Sequence, residues 1–274
     1  MNTTIRYYLI CIFLCGICIT NVRAQTKEAA DSLYSGGSYF EASIAYERLI
    51  FSAVSPELTW YATLQKIQCL KQQGLFAQAE SYARANVNSF GTDSLKYRLQ
   101  YEQVINSFLA GNYETAASTS EILLLSHPEH AFDRNLVITR ILALNQLQQW
   151  DKASALAKQY NSELGLHSDL YAVLPKLKSK DKAQWLSTFI PGGGQFYAGK
   201  PLEAMVTILI QGAGIYFGVT SFLDHYYLSA WLVGAGLFGS FHMGGVRRSE
   251  ALVEQYNQRQ AAEFNEKIKV ELLK

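Results

Sequence analysis

Apolar residues between positions 26 and 160 recur at helical spacing rather than in alternation, and the pattern repeats every 37 residues. Four copies align on a glycine, on an aromatic residue two positions later and on an alanine three positions after that. Two further columns lie seven residues before the glycine and four residues after the alanine. In chain order the columns read Ala30, Ile67, Val104, Ile141; Gly37, Gly74, Gly111, Gln148; Tyr39, Phe76, Tyr113, Trp150; Ala42, Ala79, Ala116, Ala153; and Tyr46, Ala83, Ser120, Ala157.

Each copy of this pattern predicts a pair of helices joined by a short turn. The glycine column is expected to end the first helix, because the residue after a helix often adopts positive φ. The aromatic and alanine columns are three residues apart, so they share one face of the second helix. A small alanine lets the two helices approach closely, and the aromatic residue fills the space beside it.

This arrangement resembles the tetratricopeptide repeat family over roughly half of the chain, although the usual period of that family is about 34 residues. The resemblance implies an all-α fold of stacked helical hairpins, a solenoid whose groove binds an extended peptide or a helix of a partner protein. Pro128 also lies where the family often has its closing proline. Positions carried over from the family as candidate partner-binding residues are Tyr61, Gln68, Lys71, Gln72, Arg98, Tyr101, Phe108, Asn135 and Asn145.

The composition changes after the repeats. The segments Leu202 to Leu223 and Tyr227 to Val246 are apolar over 22 and 20 residues, and about 20 apolar residues suffice for a membrane-spanning helix. A break of three residues between them predicts a transmembrane hairpin; the alternative is a buried helical hairpin of a soluble protein. Small residues expected to let helices pack closely in lipid are Gly214, Gly218, Gly236, Ser240 and Gly244.

The sequence IPGGGQFYAGK precedes the first apolar segment. It resembles the Pro-Gly-x-Gly-Gln-x-Tyr-x-Gly signature found before short membrane hairpins in bacterial TM2-like envelope proteins. The resemblance implies a turn at the membrane interface, or a contact for lipid or a partner, formed by Pro191, Gly192, Gly194, Gln195, Tyr197 and Gly199. After the hairpin, residues 247–274 are charged and carry an apolar stripe at helical spacing, which predicts an amphipathic helix.

The amino terminus has the features of a secretory signal peptide. Arg6 precedes an apolar stretch, and Val22 and Ala24 provide small residues before a cleavage site at Gln25; an uncleaved signal anchor is the alternative. The predicted domains are therefore a signal peptide (1–24), helical repeats (25–165), a basic connector (166–185), the glycine-rich turn with the membrane hairpin (186–246) and a C-terminal helix (247–274). We expect an inner-membrane protein of bacteria whose repeats lie outside the cytoplasm.

The net charge and the candidate chemical motifs limit the classes of function that we expect. A net charge of +1 argues against a nucleic-acid partner. No catalytic or metal-ligating constellation is recognisable, so we expect no enzyme, no metal and no cofactor. The function that follows is a membrane-anchored scaffold for partner proteins. The alternatives are an accessory subunit of a transport or secretion complex that acts through the hairpin, and an enzyme with an unrecognised site.

Overall fold

The structure is a computed structural model that describes residues 26–274 except 54, 128–132 and 167–168. The predicted signal peptide and Pro128 lie outside the described residues. Every regular element within the described part of the chain is helical, and no strand occurs there. The chain divides into two compact units; the first ends at Ala143 and the second spans Leu144–Lys274. The division falls inside the fourth predicted repeat.

The helices, in chain order, have the following bounds: α1 Lys27–Ser35, α2 Tyr39–Ser52, α3 Pro56–Gln72, α4 Phe76–Asn86, α5 Asp93–Leu109, α6 Tyr113–Ser126, α7 Arg134–Gln146, α8 Trp150–Gln159, α9 Asn161–Leu164, α10 Lys180–Phe189, α11 Gly193–Ala198, α12 Pro201–Leu223, α13 Tyr227–Ser229 and α14 Gly236–Leu272. A 3₁₀ turn, Val87–Ser89, follows α4, and a π-helical turn, Ala230–Ala235, joins α13 to α14.

One backbone turn ends α1, α3, α5 and α7. At the first of these ends Gly37 has φ 80°, its N–H bonds to the carbonyl of Tyr34, and the N–H of Ser38 reaches back to Leu33. This is the Schellman arrangement, in which the residue after the helix cap is left-handed. At these four helix ends the residue with positive φ is the one in the predicted glycine column, including Gln148 with φ 57°. The prediction that this column ends a helix is confirmed.

The other columns occupy equivalent places in each copy. The aromatic column supplies the first residue of α2, α4, α6 and α8. The alanine column is fully buried in all four copies, and the columns seven residues before the glycine and four residues after the alanine are 4% exposed or less. Within the first unit each helix from α1 to α5 packs against the next one in the chain. The periodicity therefore places the same kind of residue at the same buried position in every copy.

The second unit is organised by α14, whose 37 residues form one continuous helix. Its first part packs on α12, and its middle packs on α10 and α11. Towards its end, Asn265 accepts a hydrogen bond from the indole N–H of Trp150 (3.1 Å) and donates to the backbone carbonyl of Asn145 (2.9 Å). The predicted C-terminal helix thus continues the second apolar segment without a break.

Helix α12 is long and apolar enough to cross a membrane by its length and composition, and it is the one such helix in the described residues. Its large apolar side chains mostly face outward; Leu209 is 72% exposed and Tyr216 73% exposed. The second predicted span is divided between α13, the π-helical turn and the start of α14, and it stays a prediction.

Candidate functional site

Three of the polar residues predicted for the groove gather around a buried carboxylate, Glu102 of α5, whose side chain is 2% exposed. Lys71 Nζ lies 2.9 Å from one carboxylate oxygen. Gln68 Nε2 donates to the other oxygen at 3.1 Å, and the Arg98 guanidinium is 3.3 Å from the same atom. A desolvated carboxylate requires such partners. Three candidates from the second and third repeats therefore meet at one point, between α3 and α5.

Tyr61 belongs to a second polar cluster in the first unit. Its hydroxyl donates to Asp31 Oδ1 at 2.8 Å, and the hydroxyl of Tyr46 donates to the same oxygen at 2.6 Å. The Lys27 ammonium lies 4.2 Å from the centroid of the Tyr61 ring. Burial, followed by the hydrogen bond to Asp31, raises the pKa of Tyr61 to about 12. Tyr61 is therefore a neutral donor that ties α3 to α1.

The remaining candidates differ in their surroundings. Tyr101 is half-buried, with the Arg98 guanidinium 5.3 Å from its ring centroid, and burial raises its pKa. Phe108 packs edge to face on the aromatic column, 5.5 Å from the ring centroid of Tyr113. Gln72 and Asn135 are exposed.

Asn145 is fully buried in the second unit. Its Oδ1 accepts from the Tyr171 hydroxyl at 2.9 Å, and its backbone carbonyl accepts from Asn265. These contacts give Asn145 a packing role.

Sequence reasoning missed a second polar line between consecutive repeats. At the first and third junctions, the residue ten positions after the glycine column faces the residue eight positions before the next one. Glu47 is paired in this way with Lys66, and Glu121 with Arg140 (2.9 Å). Opposite charges at these two junctions were the signal that could have found the pairs; the middle junction has Arg84 and Gln103 at the same positions.

The glycine-rich turn is a packing junction in the second unit. A Cβ at Gly192 would lie 2.7 Å from the carbonyl oxygen of Ala204, at the start of α12. A Cβ at Gly194 would lie 2.4 Å from the carbonyl oxygen of Ala183 in α10 and 2.6 Å from Ser249 Cβ in α14. Three helices therefore converge on α11 at distances that only glycine permits. Pro191, half-buried, precedes this contact.

Gln195 fixes the junction to the long helix. It is 1% exposed, its Nε2 donates to the carbonyl of Gly245 at 3.1 Å, and its Oε1 accepts from the Ser187 hydroxyl at 3.4 Å. Tyr197 accepts from the backbone N–H of Ser179 at 3.1 Å. Gly199 has φ 84° and ends α11 with the same turn as the repeats. Each polar residue of the signature thus holds two segments together.

The small residues of the hairpin lie on two different faces. A Cβ at Gly234 would lie 2.4 Å from Gly218 Cα and 3.6 Å from the carbonyl oxygen of Gly214, so the hairpin is closest at these glycines. Gly234 was not among the predicted packing residues. Gly236, Ser240 and Gly244 are exposed, and a Cβ at either glycine would meet no atom within 4 Å. Within the described residues, neither Gly236 nor Gly244 marks a close approach of two helices.

Among the described residues no group of three His, Cys, Asp or Glu side chains is placed to hold a metal ion. Cys69 is fully buried, and burial raises the pKa of its thiol to about 11. A protonated, inaccessible thiol is a poor nucleophile. No family model matches the chain, and neither a curated protein nor a solved structure matches it.

Proposed function

We propose that this protein is a non-enzymatic scaffold of the bacterial cell envelope. In this proposal a tetratricopeptide-like solenoid binds a partner protein, and the apolar hairpin holds the complex at the membrane. The single observation that carries the proposal is the polar cluster around Glu102, in which the partly buried Lys71 and the half-exposed Arg98 flank a buried carboxylate.

Burying the charge of Glu102 costs free energy of folding, and stability alone does not explain why the cluster is present. Replacing a buried ion pair with apolar residues is often neutral or stabilising. Lys71 and Arg98 also carry more N–H donors than one carboxylate accepts, and the Arg98 side chain is 51% exposed. The cluster is therefore suited to a partner that offers carboxylate or carbonyl oxygens, such as an extended peptide or the end of a helix.

The exposed apolar surface of the hairpin supports membrane anchoring. Leu209, Tyr216 and Trp231 are each at least 70% exposed, and a soluble protein rarely exposes so large an apolar patch. Anchoring confines the bound partner to the bilayer and raises its effective concentration beside other membrane proteins.

Two features of the sequence predict opposite orientations in the membrane. The predicted signal peptide favours repeats outside the cytoplasm, whereas the basic residues Lys200, Arg247 and Arg248 favour the opposite orientation.

The proposal is tested by crosslinking in intact cells, followed by purification of the full-length protein. The variant Lys71→Gln/Arg98→Gln removes both cations, and Lys96→Gln is the matched control because Lys96 lies on α5 but pairs with the exposed Asp93. We expect the double variant to lose partners that the control retains. Thermal unfolding of each variant identifies a loss that arises from a damaged fold.

Retention of all partners by a folded double variant would overturn the groove as the binding site. If partners instead depend on the hairpin, the accessory-subunit alternative is favoured.

Two further experiments test the placement of the chain. Mass spectrometry of the purified protein determines its amino terminus and so tests cleavage before Gln25. Protease accessibility in spheroplasts tests the side of the membrane on which the repeats lie.

A further inference from the structure

A groove of about 590 Å³ runs along the hairpin from the end where α12 begins. Its apolar walls are Leu202, Val206 and Ile210 of α12 and Phe241 of α14. Its floor is made of Ser240, Gly244 and Gly245. The space above Gly244 is open, since a Cβ at this position would meet no atom within 4 Å. The groove thus has apolar walls and opens onto the outer surface of the hairpin.

The open end of the groove is charged. Arg248 makes a forked hydrogen bond to Glu203, at 2.9 and 3.1 Å, so this pair is close to neutral. Lys200 and Arg247 are exposed near the same end, and neither forms a salt bridge within the described residues. The hydrogen bond from Arg248 and, to a smaller extent, the charge of Lys200 stabilise the Glu203 carboxylate. Arg247 lies three residues after Gly244, on the same side of α14 and one turn above it. The open end therefore carries a net positive charge, since three cations, Lys200, Arg247 and Arg248, accompany the single carboxylate Glu203.

We propose that this groove binds one anionic phospholipid, with an acyl chain along Leu202, Val206 and Ile210 and the phosphate beside Lys200 and Arg247. The proposal rests on the membrane placement given above. An amphiphile with a negative head and an apolar tail matches the order of charges and apolar walls along the groove.

A second copy of the chain fits the groove less well. Two copies inserted in one membrane share the same orientation, so a symmetric contact through Gly244 would bring Arg247 of one copy beside Arg247 of the other. Like charges at that distance repel, whereas a phosphate neutralises them. Charge complementarity therefore selects the lipid.

The test uses the full-length protein purified in mild detergent and titrated with phosphatidylglycerol or with phosphatidylcholine of the same acyl chains. Bound lipid is counted by native mass spectrometry. Each cation near a phosphate strengthens the binding of an anionic lipid. Removing two cations is expected to weaken that binding by about 30-fold. Lys200→Gln/Arg247→Gln is expected to abolish the preference for phosphatidylglycerol. Gly244→Leu, which fills the floor, is expected to abolish binding of both lipids.

Gly236→Leu is the matched control, because Gly236 is an equally exposed glycine of α14 that does not line the groove. It should bind phosphatidylglycerol as the unaltered protein does. Equal binding by the Gly244→Leu and Gly236→Leu proteins would overturn the proposal, as would a dimer that Gly244→Leu converts to a lipid-free monomer. Carbonate extraction of membranes separates these outcomes from failure of the anchoring itself, because an unanchored protein is released whatever its lipid preference.

Discussion

Replacement of Gly194 by alanine is a direct test of the junction between α10, α11 and α14. The added Cβ would lie 2.4 Å from the carbonyl oxygen of Ala183 and 2.6 Å from Ser249 Cβ. Ordinary van der Waals contact begins at 3.4 Å, so a helix has to move by about one ångström. The Ala183 oxygen belongs to the backbone, and it cannot yield by a rotamer change as a side chain can.

Two costs determine the size of the effect. Overpacking of this kind destabilises by about 1–3 kcal/mol. The movement also strains the hydrogen bond from the Gly194 N–H to the Ser187 hydroxyl (3.1 Å), a bond worth about 1 kcal/mol. We expect Gly194→Ala to lower the free energy of unfolding by about 2–4 kcal/mol, which corresponds to a Tm lower by roughly 5–15 °C.

The assay is thermal unfolding of the full-length protein in mild detergent, followed by circular dichroism. Gly212→Ala is the matched control, because a Cβ at Gly212 would meet no atom within 4 Å. Alanine favours a helix over glycine by about 1 kcal/mol, so this variant should be as stable as the unaltered protein or slightly more stable. Equal Tm values for the Gly194→Ala and Gly212→Ala proteins would refute the close packing of the junction.

Three further predictions concern the repeats and the C-terminal helix. Gln148→Gly should stabilise the protein by about 0.5–1 kcal/mol in urea unfolding, because φ 57° suits glycine, whereas Gln149→Gly, at φ −86°, should destabilise it. Because folding raises the pKa of Tyr61 from 10.0 to about 12, its stabilisation is complete below pH 10 and is lost as the pH rises towards 12; Tyr61→Phe should reduce this alkaline loss, and an unchanged pH profile would contradict the assignment. Trp150→Phe leaves the buried Asn265 acceptor without its donor and should cost about 1–3 kcal/mol, and a double-mutant cycle with Asn265→Leu should show coupling of about 1 kcal/mol.

The local structure of the repeats was predictable because each column has one steric requirement. A helix that must end and turn back needs a left-handed residue, and Gly37, Gly74 and Gly111 supply it. A close helix pair needs a small residue at the contact, and the alanine column is fully buried. Such requirements depend on a few neighbours along the chain, so they are visible in the sequence.

The packing face of the hairpin was not predictable in the same way. A π-helical turn at Ala230–Ala235 accommodates an extra residue, which rotates the preceding segment relative to α14. Gly234 therefore packs against Gly218. A regular spacing of four residues back from Gly244 would instead place Gly236 and then Leu232 on the packing face, and Leu232 is exposed. A regular helical period cannot indicate where such a turn occurs.

The polar cluster was predicted in part. Family positions selected Gln68, Lys71 and Arg98 but not Glu102, the buried carboxylate that brings them together. The offsets name positions on a helix surface, whereas the partner of an ion cluster depends on which side chains reach across from one helix to the next. That information is carried by the packing of α3 on α5 and is absent from either segment alone.

The turn that ends the first helix of each repeat also forms the apex of the apolar hairpin. His225 has φ 68°, the N–H of Tyr226 bonds to the carbonyl of Ser221, and the N–H of Ala230 bonds to the carbonyl of Tyr226. Gly199 makes the same turn before α12. In the hydrocarbon region of a bilayer every backbone polar group needs an internal partner, and this turn supplies such partners by its own geometry. The repeats use the same turn, so it satisfies the backbone at the apex whether the hairpin lies in a bilayer or in water.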